Sequence, residues 1–506
     1  MEPTHPSLLA VGRFGLGASK DGPPSDPRAH VDRQLDVALP SYQGDLRDTP
    51  GQLRTMVERR RYQREKINEQ VAANRDAQRK AGNDAAAAGT AGGDMAAAAA
   101  NEMASGGMDG DGDMAMDDGM ARRQKRDKRR GEFDIDLTGI AKANNRAEDF
   151  HAWLESVRDS PCPYQERLAL HWGNHFTVAA VKGKVAITVG TFQREVVRPN
   201  VVGSFHNMLV ASTTHPSMIF YLDNERSIGP ASKVGQRGKR GVNENLAREV
   251  LELHTLGADG GYTQADVASF AKVLSGWTVD LDPESDACGT TVFKEAWHEP
   301  GAKTILGKRY ADDGEGQLRA VLKDLAEHPS TARHVSRRFA RAFVADDASP
   351  ALLTALERSF RDTNGDLKAL ARTLARHDEA WTAPPAKLRP PIEFVASVAR
   401  LLGATPRPPV PYVALVAMGQ PYLTAPSPKG WSDDDDAWAT SDGIKTRLDW
   451  AQDLSARHAD RLNMKQLVDT QLAGLLSDET RTAVLRGESQ EQALTLLLLS
   501  PDFQRR

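Results

Sequence analysis

Residues 82–131 contain no Val, Ile, Leu, Phe, Trp or Tyr. Ala and Gly supply 23 of these 50 positions. Such a stretch cannot bury enough apolar surface to offset the entropy of ordering it, so a disordered insertion is expected. Its middle is acidic, with Asp109, Asp111, Asp113, Asp117 and Asp118, and its end is basic from Arg122 to Arg130. Adjacent runs of opposite sign read as a self-compensating polyampholyte rather than a polyanion grip. Six of the 12 Met also fall here. Thioethers bind Cu(I), but a drifting Ala/Gly/Met/Asp linker is the plainer account. A folded body must therefore be built from what flanks the insertion. The expected parts are an N-terminal helical part at 1–81, a central helical core with the site at 132–383, and a C-terminal helical part at 384–506 packed on that core.

Length and charge narrow the function. The 506 residues allow roughly three domains at about 150 residues each, and one large body with an insertion fits better. The net charge is −4, and the insertion holds seven basic and nine acidic residues, so the body itself is near neutral. That argues against a dedicated nucleic-acid binder. Two cysteines, Cys162 and Cys288, exclude a disulfide framework and a four-thiolate zinc site. There is no P-loop, HExxH, GxSxG or strand-led GxGxxG. The opening Met1–Pro6 shows no signal peptide, and no apolar run reaches the length of a membrane span. The first 20 residues, with Gly12, Gly15 and Gly17, read as an opening loop.

Helical periodicity dominates. Gly51–Lys80 reads as a polar, solvent-exposed helix. Helices are also expected near 147–157, 163–177, 190–198, 200–213, 242–256, 263–275, 316–327, 330–344, 351–376, 390–403, 443–459, 464–475 and 489–500. Val185–Val189 and Thr290–Phe293 are the best strand candidates, and 406–438 reads as a long irregular stretch. The expected fold is mainly α: a large irregular multi-helix domain with at most a small β-hairpin and a long disordered insertion.

Seven of the 13 histidines lie between 151 and 298, and three runs there carry the chemistry. In Arg167–Thr177, Arg167, His171, Asn174 and His175 share an arc at about 100° per residue. Leu168, Trp172 and Phe176 form the adjoining apolar stripe. His171 and His175, one turn apart, can hold one metal ion, bind an anion or act in catalysis, or sit as core-edge histidines. In Asn243–Gly257, Asn243 is a plausible N-cap and Gly257 a stop. Asn245, Glu249 and Glu252 project together, as metal ligands or acid–base groups. Glu244 and Arg248 fit an intrahelical ion pair, or a substrate contact through Arg248. In Phe192–Pro199, Glu195 and Arg198 offer a carboxylate and a cation on one face. The basic loop 232–241, with Lys233, Arg237, Lys239 and Arg240, feeds the 243–256 helix and suits an anion. His298 and Lys303, in the turn downstream, can reach a site or simply be exposed.

These runs resemble a bacterial family catalogued as domain of unknown function 1800. The matching segments are HWGNHFT at 171–177, FQREVVRP at 192–199, HPSMIFYLDN at 215–224, GVNENLAREVLELHTLG at 241–257, GGYTQADV at 260–267 and HEPGAKTILG at 298–307. FARAFVADD at 339–347, PPIEFVASVARLLG at 390–403, GQP at 419–421 and SPDFQRR at 500–506 are similar to its C-terminal half, and Gly12–Ala18 is similar to its opening. The resemblance implies a mainly helical protein of no established activity. It also implies export, where the missing signal peptide would place the chain in the cytoplasm. Genes of the family often neighbour those of a sulfatase- or phosphatase-like family, domain of unknown function 1501, which suggests a partner.

Three functions follow as expectations. The first is a metal-assisted hydrolase acting on an anionic, phosphorylated or sulfated substrate. Its divalent ion would sit on His171, His175, Glu249 and Glu252, with Glu195, Glu249 and Asn245 catalytic. Arg167, Asn174, Arg198, Lys239, Arg240, Asn243, Arg248, His298 and Lys303 would bind the substrate. The second is a non-catalytic accessory protein of the sulfatase-like partner. The third is a polyanion- or polysaccharide-binding module using exposed Trp277, Trp297, Trp431 and Trp438.

Overall fold

A computed structural model describes residues 5–42, 46–89, 146–238, 241–406 and 409–506, with backbone alone for 81–89. Residues 90–131 of the expected insertion, and the expected ligands Lys239 and Arg240, lie outside the described residues. The chain divides into two compact units, 1–53 with 144–506, and 54–143. Of the second unit, the described part belongs to the helix Thr49–Gly89. That helix continues through Ala85–Ala88, where alanine is the strongest helix former.

The first unit is mainly helical, with two small antiparallel hairpins. Helix starts follow from local chemistry. The tripeptide His-Pro-Ser occurs at 5–7, 215–217 and 328–330, and each opens a helix. In each, the His Nδ1 accepts the serine N–H at 3.1–3.2 Å, while proline, which has no N–H to satisfy, takes the first helical position. Thr263 and Asp266 form a capping box at the start of the helix Gln264–Leu274.

The helices differ from expectation where buried sequence hides its period. Val185–Val189 is part of the helix Val185–Phe192, not a strand. Nearly every side chain of that helix is buried, so its continuous β-branched run has no polar face to reveal the turn. The opening segment contains the helix Pro6–Gly12, and the stretch after 406 contains the helix Val410–Ala417. The expected 351–376 helix is two, Pro350–Asp362 and Leu367–Arg376. Asn364 and Gly365 take positive φ between them, and Asp366 caps the second. Thr291–Phe293 is a strand as expected and pairs with Trp277–Val279. Lys303–Ile305 pairs with Lys308–Tyr310 in a second hairpin.

Two packing features position the site. Helix 146–159 contributes Phe150, Trp153 and Leu154 to a core completed by Phe394, Leu401, Leu454, Leu467, Leu494 and Leu498 of the C-terminal helices. That core fixes the helix Pro391–Leu402, which carries Glu393 in its first turn. The helix Pro163–His175 is buried around most of its circumference, including Arg167, His171 and His175. A polar row on a helix surrounded by protein must meet partners or a cavity. Among the described residues no helix is long and apolar enough to cross a membrane.

Candidate functional site

The polar row of Pro163–His175 meets a cavity of about 130 Å³. At about 30 Å³ per water in the liquid, that is room for roughly four waters or one small molecule. Arg167, His171, Asn174 and Arg198 all line it, joined by Glu393, Arg506 and Asp433 from the C-terminal part.

Arg167 and Arg506 form the floor with Glu393. The Arg167 guanidinium donates to Gly12 O at 3.1 Å and Ala342 O at 3.2 Å, and lies 4.6 Å over the Phe343 ring. Its Nε is 3.8 Å from Glu393 Oε1. Arg506 donates to the same Ala342 O at 2.8 Å, and its Nε lies 2.8 Å from Glu393 Oε2. That contact is close but off the hydrogen-bonding line, so it acts as a charge pair rather than a directed bond. Burial pushes the Glu393 carboxyl up, against the pull of Arg167 and Arg389. The same burial brings the Arg389 guanidinium down to about 10.

His171 stands beside this floor. Its ring lies edge-on to Trp172, Phe339 and Phe343 at 4.8, 5.2 and 5.8 Å. Its Nε2 is buried without a hydrogen-bond partner. Burial, with the charges of Arg338 and Arg167 behind it, holds the imidazole well below its ordinary range, so it is neutral at pH 7.

Asn174 builds the wall. Its Nδ2 donates to Trp431 O at 2.9 Å and its Oδ1 accepts Trp431 N–H at 2.7 Å. The amide is thus committed to a loop rather than free for a ligand. Gly430 makes this fit: its φ is +87°, and a Cβ there would lie 2.5 Å from Asn174 Oδ1. The pinned loop carries Trp431, Ser432 and Asp433 into the cavity lining. Arg198 is also committed, to Glu166 at 2.6 and 3.0 Å and to Pro40 O at 2.6 Å.

The other expected residues lie elsewhere. His175 Nε2 donates to His254 O and His334 Nε2 to Leu253 O, both at 3.0 Å. These carbonyls belong to a π-helical turn, Val250–Thr255, so His175 serves as a helix-end cap. The π turn also voids the regular 100° arithmetic for Glu252 and His254. His254 is wholly enclosed, and burial followed by Arg338 brings it down to about 3. Glu252 accepts from the Tyr262 hydroxyl at 2.8 Å. Glu249 is pushed up by burial and by Glu252. Asn243 Oδ1 accepts the Asn245 N–H at 2.9 Å, a local turn at the helix start. Arg248 pairs with Glu244 and Gln264, each at 3.1 Å.

Glu195 is occupied by structure. It accepts Thr49 N–H at 2.8 Å and His215 Nε2–H at 3.0 Å. Burial pushes its carboxyl up, but these hydrogen bonds outweigh that and hold it low. His298 and Lys303 are buried together rather than exposed: His298 donates to Ser275 O at 2.9 Å and accepts from Lys303 at 3.1 Å. The four expected metal ligands are not brought together. Among the described residues no three His, Cys, Asp or Glu side chains converge as an ion would need, so His171, His175, Glu249 and Glu252 form no such group. The tryptophan expectation is corrected: Trp277 and Trp438 are buried in packing, Trp431 and Trp297 half-buried.

Sequence reasoning missed Glu393, Arg389 and Arg506. The one available signal is a lone Glu inside the otherwise apolar Pro390–Ala396 run, which marks a buried carboxylate in need of cations. No curated protein and no solved structure matches this chain. A family model matches residues 10–505, nearly its whole length, and the chain therefore belongs to the family described as protein of unknown function (DUF1800).

Proposed function

We propose that the chain is a hydrolase that works on a small anionic substrate in the cavity beside His171. The observation that carries this reading is His171, a neutral imidazole with an unpartnered Nε2, which lines a cavity that also holds the buried carboxyl of Glu393. A buried polar atom without a partner is unfavourable in packing and useful in a site. Neutral imidazole is the form that accepts a proton, here from an attacking water. Burial first, and then the charges of Arg338 and Arg167, make it a weak base. An anion bound beside it would offset those charges and raise its proton affinity. The proton that His171 takes from water is then available to the leaving group, while Glu393 stays paired with the floor guanidiniums.

Metal-assisted hydrolysis, expected from the sequence, is not part of this reading, because its four ligands do not converge. An accessory role beside a sulfatase-like partner would leave a buried, charged cavity without a purpose. The test is turnover of a panel of small phosphate, sulfate and carboxylate esters by chelator-treated protein. Activity that persists after chelation and is lost in folded His171→Ala supports the reading. Activity that needs added metal, or that ignores His171, overturns it.

A further inference from the structure

We infer that the floor of the cavity is an oxyanion subsite, shaped for the phosphate, sulfate or carboxylate group of the ligand. The inference rests on reading this cavity as the working site and names the chemistry it recognises. Three guanidiniums, Arg167, Arg389 and Arg506, gather about one buried carboxylate, Glu393. All four side chains are nearly inaccessible, at 2, 3, 6 and 6% exposure. Several covered cations in this body have a carboxylate partner, as Arg198 has Glu166, Arg194 has Asp149, Arg338 has Asp433 and Lys387 has Asp346, while Arg13, Arg400 and Arg447 rest on carbonyl and amide oxygens. The floor sets three guanidiniums against one carboxylate beside a cavity.

Carbonyl oxygens of Gly12 and Ala342 orient the floor guanidiniums but cannot cancel their charge. A buried cation without a counter-charge is strongly unfavourable, and a bound anion removes that penalty. A second observation points to the same place. The Nε of Arg389 and the Nε2 of His171 are buried without hydrogen-bond partners, the Nε of Arg506 has only its charge contact with Glu393, and His171 and Arg506 line the cavity. Guanidinium N–H groups are donors suited to oxyanion oxygens. The Arg198 and 232–241 cations favoured by sequence are not needed for it.

The test follows thermal unfolding of the full chain during titration with inorganic phosphate, sodium sulfate or sodium acetate, against sodium chloride at equal ionic strength. A saturable rise in Tm with one of the oxyanions and none with chloride is expected, and the three arms separate the candidate groups. Arg506→Gln should weaken the binding roughly tenfold, and Arg506→Lys should restore part of it. Glu393→Gln should tighten it by a similar factor, because the competing carboxylate is gone. If Glu393→Gln does not fold alone, folding in the oxyanion but not in chloride is the expected result. Absence of an oxyanion-specific rise in the native chain overturns the inference. So does a shift in the same direction for Arg506→Gln and Glu393→Gln, since simple packing damage would lower both. The readout involves no turnover: binding without hydrolysis of any ester would refute the hydrolase and leave the subsite, and hydrolysis without oxyanion binding would do the reverse.

Discussion

The Pro163–His175 helix and the Asn243–Gly257 run look alike in sequence. Each carries polar residues at helical spacing and an adjoining apolar stripe. Folded, they are opposites. Arg167 and His171 of the first line a cavity and face charges from the far end of the chain. The second satisfies its polar groups locally: Arg248 with Glu244, Glu252 with Tyr262, Asn243 with Asn245. Helical spacing tells which residues share a face. It does not tell what that face meets, and that is what separates a site from a solvated ion pair.

Acidification should have the largest effect, and the histidines responsible lie on both regions, His171 and His175 on the first and His254 on the second. His171, His175 and His254 are all held below the ordinary 6.5 in the folded chain, first by burial and then by Arg338. The unfolded chain therefore binds more protons below pH 6.5, so their stability contribution is complete above that pH and is lost as pH falls. Each imidazole contributes at most about 1.4 kcal/mol per pH unit, and the three together approach about 4 kcal/mol per unit. Urea unfolding between pH 7 and 5 measures this, and a flat profile would contradict the burial account. Glu249 should move the other way. Its carboxyl is raised in the folded chain, so protonation favours folding and Glu249→Gln should be neutral or stabilising in the same assay.

Substitutions sharpen the contrast in decreasing order. Glu393→Ala strips the floor of its only carboxylate and should destabilise by about 3–5 kcal/mol in denaturant unfolding. Asn174→Ala breaks both hydrogen bonds to Trp431 and should lose about 1–3 kcal/mol, with weaker binding of any cavity ligand. Arg248→Ala should change stability by no more than about 0.5 kcal/mol, as a partly exposed intrahelical pair does. A loss of several kcal/mol for Arg248→Ala would erase the distinction between the two helices.

Much of this was legible. The mainly helical fold followed from period, and Arg167, His171, Asn174 and Arg198 were all singled out and all line the cavity. Roles were less legible than places. Asn174 and Arg198 carry the right polarity, but only their partners show that Asn174 holds a loop and Arg198 is neutralised by Glu166. Glu393 and Arg506 were missed because long-range packing, not local spacing, brings them to Arg167. Glu195 looked catalytic beside Arg198, yet a π turn aims it at Thr49 and His215. The three His-Pro-Ser repeats were in plain view, and their histidines cap helices.

The central claim is that the surface joining Arg167, His171 and Arg506 is where the chain does its work. Crystals of the full chain soaked in tungstate, a heavy analogue of phosphate and sulfate, test it most directly. The account predicts anomalous density on the cavity floor, within hydrogen-bonding reach of Arg506 and His171. Density along the Asn243–Gly257 run with an empty floor would contradict it.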